Sequence, residues 1–177
     1  MKLVILDRDG TINHDSEQHI KSPAEWRPID GSLEGIARLT QAGYRIVVAT
    51  NQSGIARGLL DTTTLVAIHD RLQRAAAQVG GRIDAFFFCP HLPDDACVCR
   101  KPKPGMLLEA ARRFNVAIGE VTMVGDALRD LEAAAAAGAR PVLVLTGKGI
   151  QTRDDGGLPT GTRVFPDLAA FAAHLAP

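Results

Sequence analysis

The sequence predicts an α/β fold, a parallel sheet with helices on both faces, built as a single domain over residues 1–177. Three observations predict it. Short apolar runs alternate with helical stretches along the chain, the signature of strand-helix-strand units. The runs are rich in Val, Ile and Phe, which fits strands buried on both faces. With 177 residues and 46% hydrophobic content, the chain can build one well-filled core and is short for two.

The first strand is Leu3 to Leu6, and charged residues end it. Helix formers in amphipathic spacing follow at Leu33 to Ala42, with Gly43 placed to cap the C-terminus. Arg45 to Ala49 is the second strand, Thr62 to Val79 the second helix, Ala85 to Phe88 the third strand and Met106 to Phe114 the third helix. Val121 to Val124 and Val142 to Leu145 are two further strands, separated by a helix over Ala127 to Ala137 that ends at Gly138. Gly147 to Thr162 is rich in Gly, Asp and Thr and reads as a mobile loop before a last short strand and helix. No internal repeat or low-complexity tract is present.

Twenty Lys+Arg balance twenty Asp+Glu, so no overall field is available to hold nucleic acid or an anionic membrane. A small-molecule partner and a monomer are expected. The opening MKLVILDRDG has too short an apolar run for a signal peptide or a membrane span, which predicts a cytoplasmic protein.

Ligands in such folds collect at the carboxyl ends of the strands. The polar residues there are Asp7 and Asp9, Thr50 and Asn51, Cys89 and His91, and Asp126. Asp7 and Asp9, spaced i and i+2, are expected to point to one side with Arg8 directed away, and Gly10 permits a tight turn. Burying two carboxylates is costly unless a cation neutralises them, and oxygen ligands favour magnesium. A pair of turn aspartates would show the same spacing, so this feature alone does not decide.

All three cysteines fall between positions 89 and 99. Cys89-Pro-His91 followed by Cys97-Val-Cys99 supplies three thiolates and an imidazole, the ligand set of a closed tetrahedral zinc site with a structural role. It would organise a loop over about residues 89–103. Three buried thiols and a loop histidine are the alternative. His14, His19, His69 and His174 lack such company and are expected at the surface.

Asp7-Arg8-Asp9-Gly10-Thr11 resembles motif I of the haloacid dehalogenase (HAD) phosphatase superfamily. Thr50 matches the hydroxyl of motif II, Lys101 in Arg100-Lys101-Pro102 the lysine of motif III, and Gly125-Asp126 with Asp130 motif IV. Lys103 also precedes a proline and competes with Lys101, while Asp130 is either an acid behind the site or an exposed residue. The motifs occur in the family's order and span most of the chain. The resemblance implies a HAD-like Rossmannoid fold in which Asp7 attacks phosphorus and Asp9 serves as general acid and base. It also implies magnesium on the Asp7 side chain, the Asp9 backbone carbonyl and the Asp126 side chain, with Thr50 and Lys101 on the phosphoryl oxygens. Residues 12–49 must hold a helix and a strand between the first two motifs, so no cap domain fits. The zinc loop and residues 13–27 are left to shape the entrance to the site.

The capless core, the zinc loop and the stretch Thr50-Asn51-Gln52-Ser53-Gly54-Ile55-Ala56-Arg57-Gly58 are similar to the D-glycero-D-manno-heptose-1,7-bisphosphate 7-phosphatase family. The histidinol-phosphatase domain shares motif I and the zinc loop and is the competing resemblance. The heptose family's activity would be removal of a sugar phosphate in nucleotide-activated heptose synthesis, for lipopolysaccharide core or surface glycans. Family resemblance puts Asp15, Ser16, Glu17 and Gln18, together with Thr50, Asn51, Gln52 and Ser53, on the substrate. This chain carries Asp15-Ser16-Glu17-Gln18 where the family has a glycine and an aromatic. Arg57 and Arg100 offer guanidinium forks suited to phosphate or sugar oxygens. An inactive, zinc-stabilised binding module would lack a catalytic residue, and none is lacking.

Overall fold

The computed structural model describes residues 2–177. Six parallel strands form one sheet: β1 (Lys2–Leu6), β2 (Tyr44–Asn51), β3 (Ala85–Cys89), β4 (Thr122–Gly125), β5 (Arg140–Val144) and β6 (Arg163–Phe165), in the spatial order β3-β2-β1-β4-β5-β6. Helices α1 (Ser32–Gln41), α2 (Thr62–Gln78), α3 (Gly105–Phe114), α4 (Leu128–Ala137), α5 (Gly149–Asp155) and α6 (Leu168–Leu175) connect or follow them.

Alternation along β1 sorts its side chains between two cores. Val4 and Leu6 join Ile36, Leu39, Leu65 and Leu168 from α1, α2 and α6, while Leu3 and Ile5 join Leu107, Ala110, Ala133 and Ala134 from α3 and α4. The sheet is thus buried on both faces, as its β-branched composition requires. Asp61 starts α2 by accepting from the Thr64 amide, and Asp167 does the same for α6 through Ala170. Gly138 ends α4 in a left-handed conformation.

Strand order reverses at β1, which has β2 on one side and β4 on the other. Crevices at such a switch point open at the carboxyl ends of the strands. The register carries Leu6 level with Val48 and Val124, so Asp7, Thr50 and Asp126 all emerge at that edge.

One expectation is corrected here. Gly147 to Thr162 is not a mobile loop throughout: Gly149–Asp155 is helical. The helix is too short to persist alone. Tertiary anchors hold it, with Thr152 Oγ1 donating to the Asp126 carbonyl at 2.8 Å and the Gly149 backbone lying against Val144. Among the described residues no helix is long and apolar enough to cross a membrane.

Candidate active site

Asp7 follows β1 directly, and its amide continues the ladder by donating to the Val124 carbonyl at 2.9 Å. Its carboxylate receives Lys101 Nζ at 2.8 Å, and the same ammonium lies 2.7 Å from Asp130 Oδ1. All three side chains are buried. Of the two lysines that precede a proline, Lys101 is the one that reaches Asp7, whereas Lys103 is exposed and donates to the Cys97 carbonyl, and Asp130 is buried behind Lys101 rather than exposed. Burial would lower the Lys101 pKa, but the charges of Asp130 and Asp7 outweigh it and hold the ammonium above its ordinary value. Breaking a buried pair of this kind by removing one partner costs about 3–5 kcal/mol.

Asp126 stands on the other side of Asp7. Its Oδ2 accepts from the Lys148 amide at 2.8 Å, and its Oδ1 is buried with no hydrogen-bond partner. Gly10, at φ +86°, passes so close that any side chain there would collide with the Asp126 carboxylate. Oxygens of Asp7, Asp126 and Asp130 lie within 4.8 Å of one another. Burial, then the charges of Asp7 and Asp130, push Asp126 up to about 8; burial and Asp130 push Asp7 up to about 6. Lys101 does not balance three carboxylates. The orphaned Asp126 oxygen and the surplus negative charge fit a hard divalent cation such as magnesium.

Asp9 is held differently. Arg8 Nε donates to its Oδ1 at 2.9 Å and Arg8 Nη2 to its Oδ2 at 3.1 Å, joined by Asn13 Nδ2 at 2.9 Å and Gln52 Nε2 at 2.9 Å. Burial alone would raise the Asp9 pKa, but Arg8 and these donors carry it below the usual carboxylate value. Arg8 is therefore not directed away, contrary to the strand-alternation expectation. The strand ends at Leu6, so period-two geometry no longer governs position 8.

Cys89, at the end of β3, has Cys97 Sγ at 3.8 Å, Cys99 Sγ at 3.2 Å and His91 Nδ1 at 3.3 Å. Cys99 Sγ is also 3.3 Å from His91 Nδ1. A zinc ion bound to thiolates at about 2.3 Å implies tetrahedron edges of roughly 3.8 Å between sulfurs. The four side chains fit that ligand set, and the thiols are not joined as disulfides. Burial and the neighbouring Cys99 push Cys89 up to about 12, whereas the Arg100 amide brings Cys97 down to about 7.

Residues 98–171 match a HAD-hydrolase-like family model. A D-glycero-β-D-manno-heptose-1,7-bisphosphate 7-phosphatase from Bordetella bronchiseptica is 61% identical over 99% of this chain and 98% of its own. A Pseudomonas putida protein of the same name is 53% identical over 99% of both chains. The crystal structure of a B. bronchiseptica D,D-heptose 1,7-bisphosphate phosphatase, complexed with magnesium and phosphate, superposes with a TM-score of 0.97 at 61% identity, covering 99% of this chain and 98% of that one. The chain belongs to the heptose-1,7-bisphosphate 7-phosphatase family.

For a member of this family, the remaining question is what lines the cavity over Asp7. Asp15, Ser16 and Glu17 line it, with Thr50, Asn51, Gln52, Ser53 and Arg100. Asn51 faces two ways, however. Its side-chain amide donates to the Lys101 carbonyl at 3.0 Å and accepts from the Lys101 amide at 3.1 Å, so it chiefly holds the Lys101 backbone. Gln52 likewise spends one amide hydrogen-bonding group on Asp9 and Thr50 Oγ1, at 2.9 Å each.

Two expected contacts are corrected. Gln18 and Arg57 are exposed and do not line this cavity. Arg57 sits in a turn after β2, where its amide reaches back to the Ser53 carbonyl, and nothing there draws its side chain inward. Four further residues line the cavity: His19 and Ile20, from the segment expected at the entrance, and Arg129 and Lys148, which the sequence did not single out. His19 is half-buried rather than a surface residue. Arg129, the second residue of α4, lies close enough to Asp130, Asp7, Asp126 and Asp15 for their charges to raise its pKa, and its Nε is buried without a partner. Its only sequence signal was its place three residues after Asp126. Lys148 Nζ lies 3.6 Å from Asp15 Oδ2. Arg100 Nη1 donates to the His91 carbonyl at 3.2 Å, which ties the cavity rim to the cysteine cluster.

Proposed function

We propose that this chain removes the 7-phosphate from D-glycero-β-D-manno-heptose 1,7-bisphosphate, transferring it first to Asp7 and then to water. The observation that carries this reading is the near-complete superposition on a family structure holding magnesium and phosphate. The names of the relatives favour the heptose substrate over histidinol phosphate and the β over the α anomer. Nucleotide-activated heptose synthesis is the corresponding pathway.

The side chains divide the work. Lys101 and Asp130 fix the Asp7 carboxylate so that one oxygen meets phosphorus in line with the departing sugar oxygen. The Asp7 oxygen-phosphorus bond forms as the bond to the sugar oxygen breaks; Asp9, held ionised by Arg8, Asn13 and Gln52, first takes a proton from the substrate's phosphate monoanion or from water and passes it to that oxygen. Asp9 then takes a proton from water, whose oxygen displaces Asp7 from phosphorus, and releases it to the departing phosphate or to solvent, which restores the starting carboxylates. Thr50 and Lys101 stabilise the transferring oxygens. Asp7, the Asp9 backbone carbonyl and Asp126 would hold magnesium, which when bound draws charge from the phosphoryl oxygens. Arg100, with Arg129 and Lys148 on the same cavity, would meet the parts of the substrate that do not react. Cys89, His91, Cys97 and Cys99 would hold zinc in a structural role.

Phosphate release from the β and α heptose bisphosphates and from histidinol phosphate tests the reading. The β bisphosphate should be the best substrate by kcat/KM. A preference for histidinol phosphate would overturn the heptose assignment, and no release from any ester would overturn the phosphatase assignment.

A further inference from the structure

Two buried side chains have no step of their own in the proposed reaction. Arg8, between the two motif I aspartates, is wholly buried, and His69, on α2, is 6% exposed. Arg8 Nη1 lies 3.3 Å from His69 Nε2. A guanidinium has only donors, so Nε2 is the acceptor and the imidazole is neutral with its proton on Nδ1. Burial and the adjacent Arg8 charge push His69 down to about 3, in keeping with that form. The imidazole stacks on Phe86 of β3, with ring centroids 4.4 Å apart and planes 11° from parallel.

From this geometry we infer that His69 and Arg8 form a strut that positions Asp9, the acid-base residue of the proposed reaction, so that α2 and β3 set the plane in which its carboxylate takes up and passes on a proton. The guanidinium is planar and rigid. One edge grips both oxygens of Asp9, at 2.9 and 3.1 Å, and the opposite edge is tied to His69. Fixing both edges fixes the plane of the fork and with it the plane of the carboxylate. Phe86 in turn stops the imidazole from tilting. Asn13 and Gln52 each touch Asp9 through a single bond, so neither sets that plane alone. Proton transfer needs the acid within about 2.6–3.2 Å of the leaving oxygen, and a displacement of about 1 Å can cost a hundredfold in rate. Since Asn13 and Gln52 remain when the strut is cut, the expected loss is smaller.

The inference rests on the proposed phosphatase reading, and leaving-group dependence tests it separately. A sugar alkoxide needs the proton, whereas p-nitrophenolate leaves without one. His69→Phe keeps the stack on Phe86 and removes the acceptor; His69→Gln keeps an acceptor. For His69→Phe, kcat/KM should fall roughly tenfold with the heptose bisphosphate and less than about threefold with p-nitrophenyl phosphate. His69→Gln should recover most of the difference. Arg8→Lys, which keeps the charge and loses the fork, should show the same selective loss and serves if His69→Phe folds poorly. Equal losses on both esters, or no recovery in His69→Gln, would reduce the strut to ordinary packing and overturn the inference. A wild-type protein inactive on both esters would instead refute the phosphatase reading and this one with it.

Discussion

The carboxylate cluster around Asp7 and the thiol cluster around Cys89 sit at the same edge of one sheet, yet they are assembled in opposite ways. Asp7, Asp126 and Asp130 come from β1 and β4 and the helix that follows, far apart in sequence, and the fold holds them buried with Lys101 between two of them. Cys89, His91, Cys97 and Cys99 come from one strand end and one loop, and three of the four are only partly buried. The first cluster is a product of the core, so a cation there serves chemistry. The second packs on the core at the end of β3 but is closed by a loop, so an ion there would serve structure. Arg100 joins them, with its backbone leading into Lys101 and its side chain on the His91 carbonyl.

Removing magnesium should have the largest effect on activity and a small one on the fold. Brief EDTA treatment is expected to bring turnover to background, and magnesium alone should restore it, because thiolates retain zinc far more tightly than oxygens retain magnesium. A need for added zinc to regain activity would break the division of labour.

Cys97→Ser strikes the other cluster. Losing zinc from a partly buried loop should cost several kcal/mol, or roughly 5–10 °C in Tm at about 2–4 °C per kcal/mol for a chain of this size. Metal analysis should show stoichiometric zinc in the wild type and a large deficit in the variant. Wild-type protein free of zinc would remove the basis of the comparison.

Arg100→Ala probes the link. It should lower kcat/KM for the heptose bisphosphate by about ten- to a hundredfold, matching the ~1.5–3 kcal/mol of a charged hydrogen bond. Its effect on p-nitrophenyl phosphate should be smaller, since that ester has no second phosphate. Equal losses would place Arg100 on the transferring phosphoryl group.

The smallest expected effect is a pH dependence confined to the carboxylate cluster. Without a cation, Asp126 at about 8 and Asp7 at about 6 hold protons in the folded chain that the unfolded chain has already released. Folding then binds more protons above pH 4, and stability falls as pH rises toward about 8. Magnesium requires the ionised ligands, so its gain in Tm should grow from pH 6 to pH 8.5. Calorimetry showing a gain that shrinks over that range would contradict the charge arrangement.

How much of this was legible in the sequence depended on how locally each feature is encoded. The four zinc-ligand candidates were legible because their spacing carries the chemistry. The motif aspartates, Thr50 and Lys101 were legible because strand ends in a parallel sheet converge. The sequence leaves open whether Lys101 or Lys103 faces the site and whether Asp130 is buried, and only the contacts of Lys101 with Asp7 and Asp130 bear on both. His69 reads from its neighbours in sequence as a surface residue, yet Leu65, Ile68, Leu72 and Ala76 trace the apolar stripe of α2 on which it lies. A histidine on that stripe signals a buried partner. Arg8 was misplaced because strand alternation was carried past the end of β1. The α5 segment was read as loop because its composition is that of a turn, whereas its anchors, Thr152 on Asp126 and Gly149 on Val144, are tertiary.

The central claim is that Asp7 carries the phosphate covalently, and reductive trapping during turnover tests it most directly. Borohydride added to the wild-type protein while it hydrolyses the β heptose bisphosphate should reduce the acyl phosphate and leave homoserine in place of Asp7, located by peptide mass analysis. Asp7→Asn should show neither turnover nor the reduced product. Steady turnover with Asp7 unmodified, or near-normal activity in Asp7→Asn, would contradict the account.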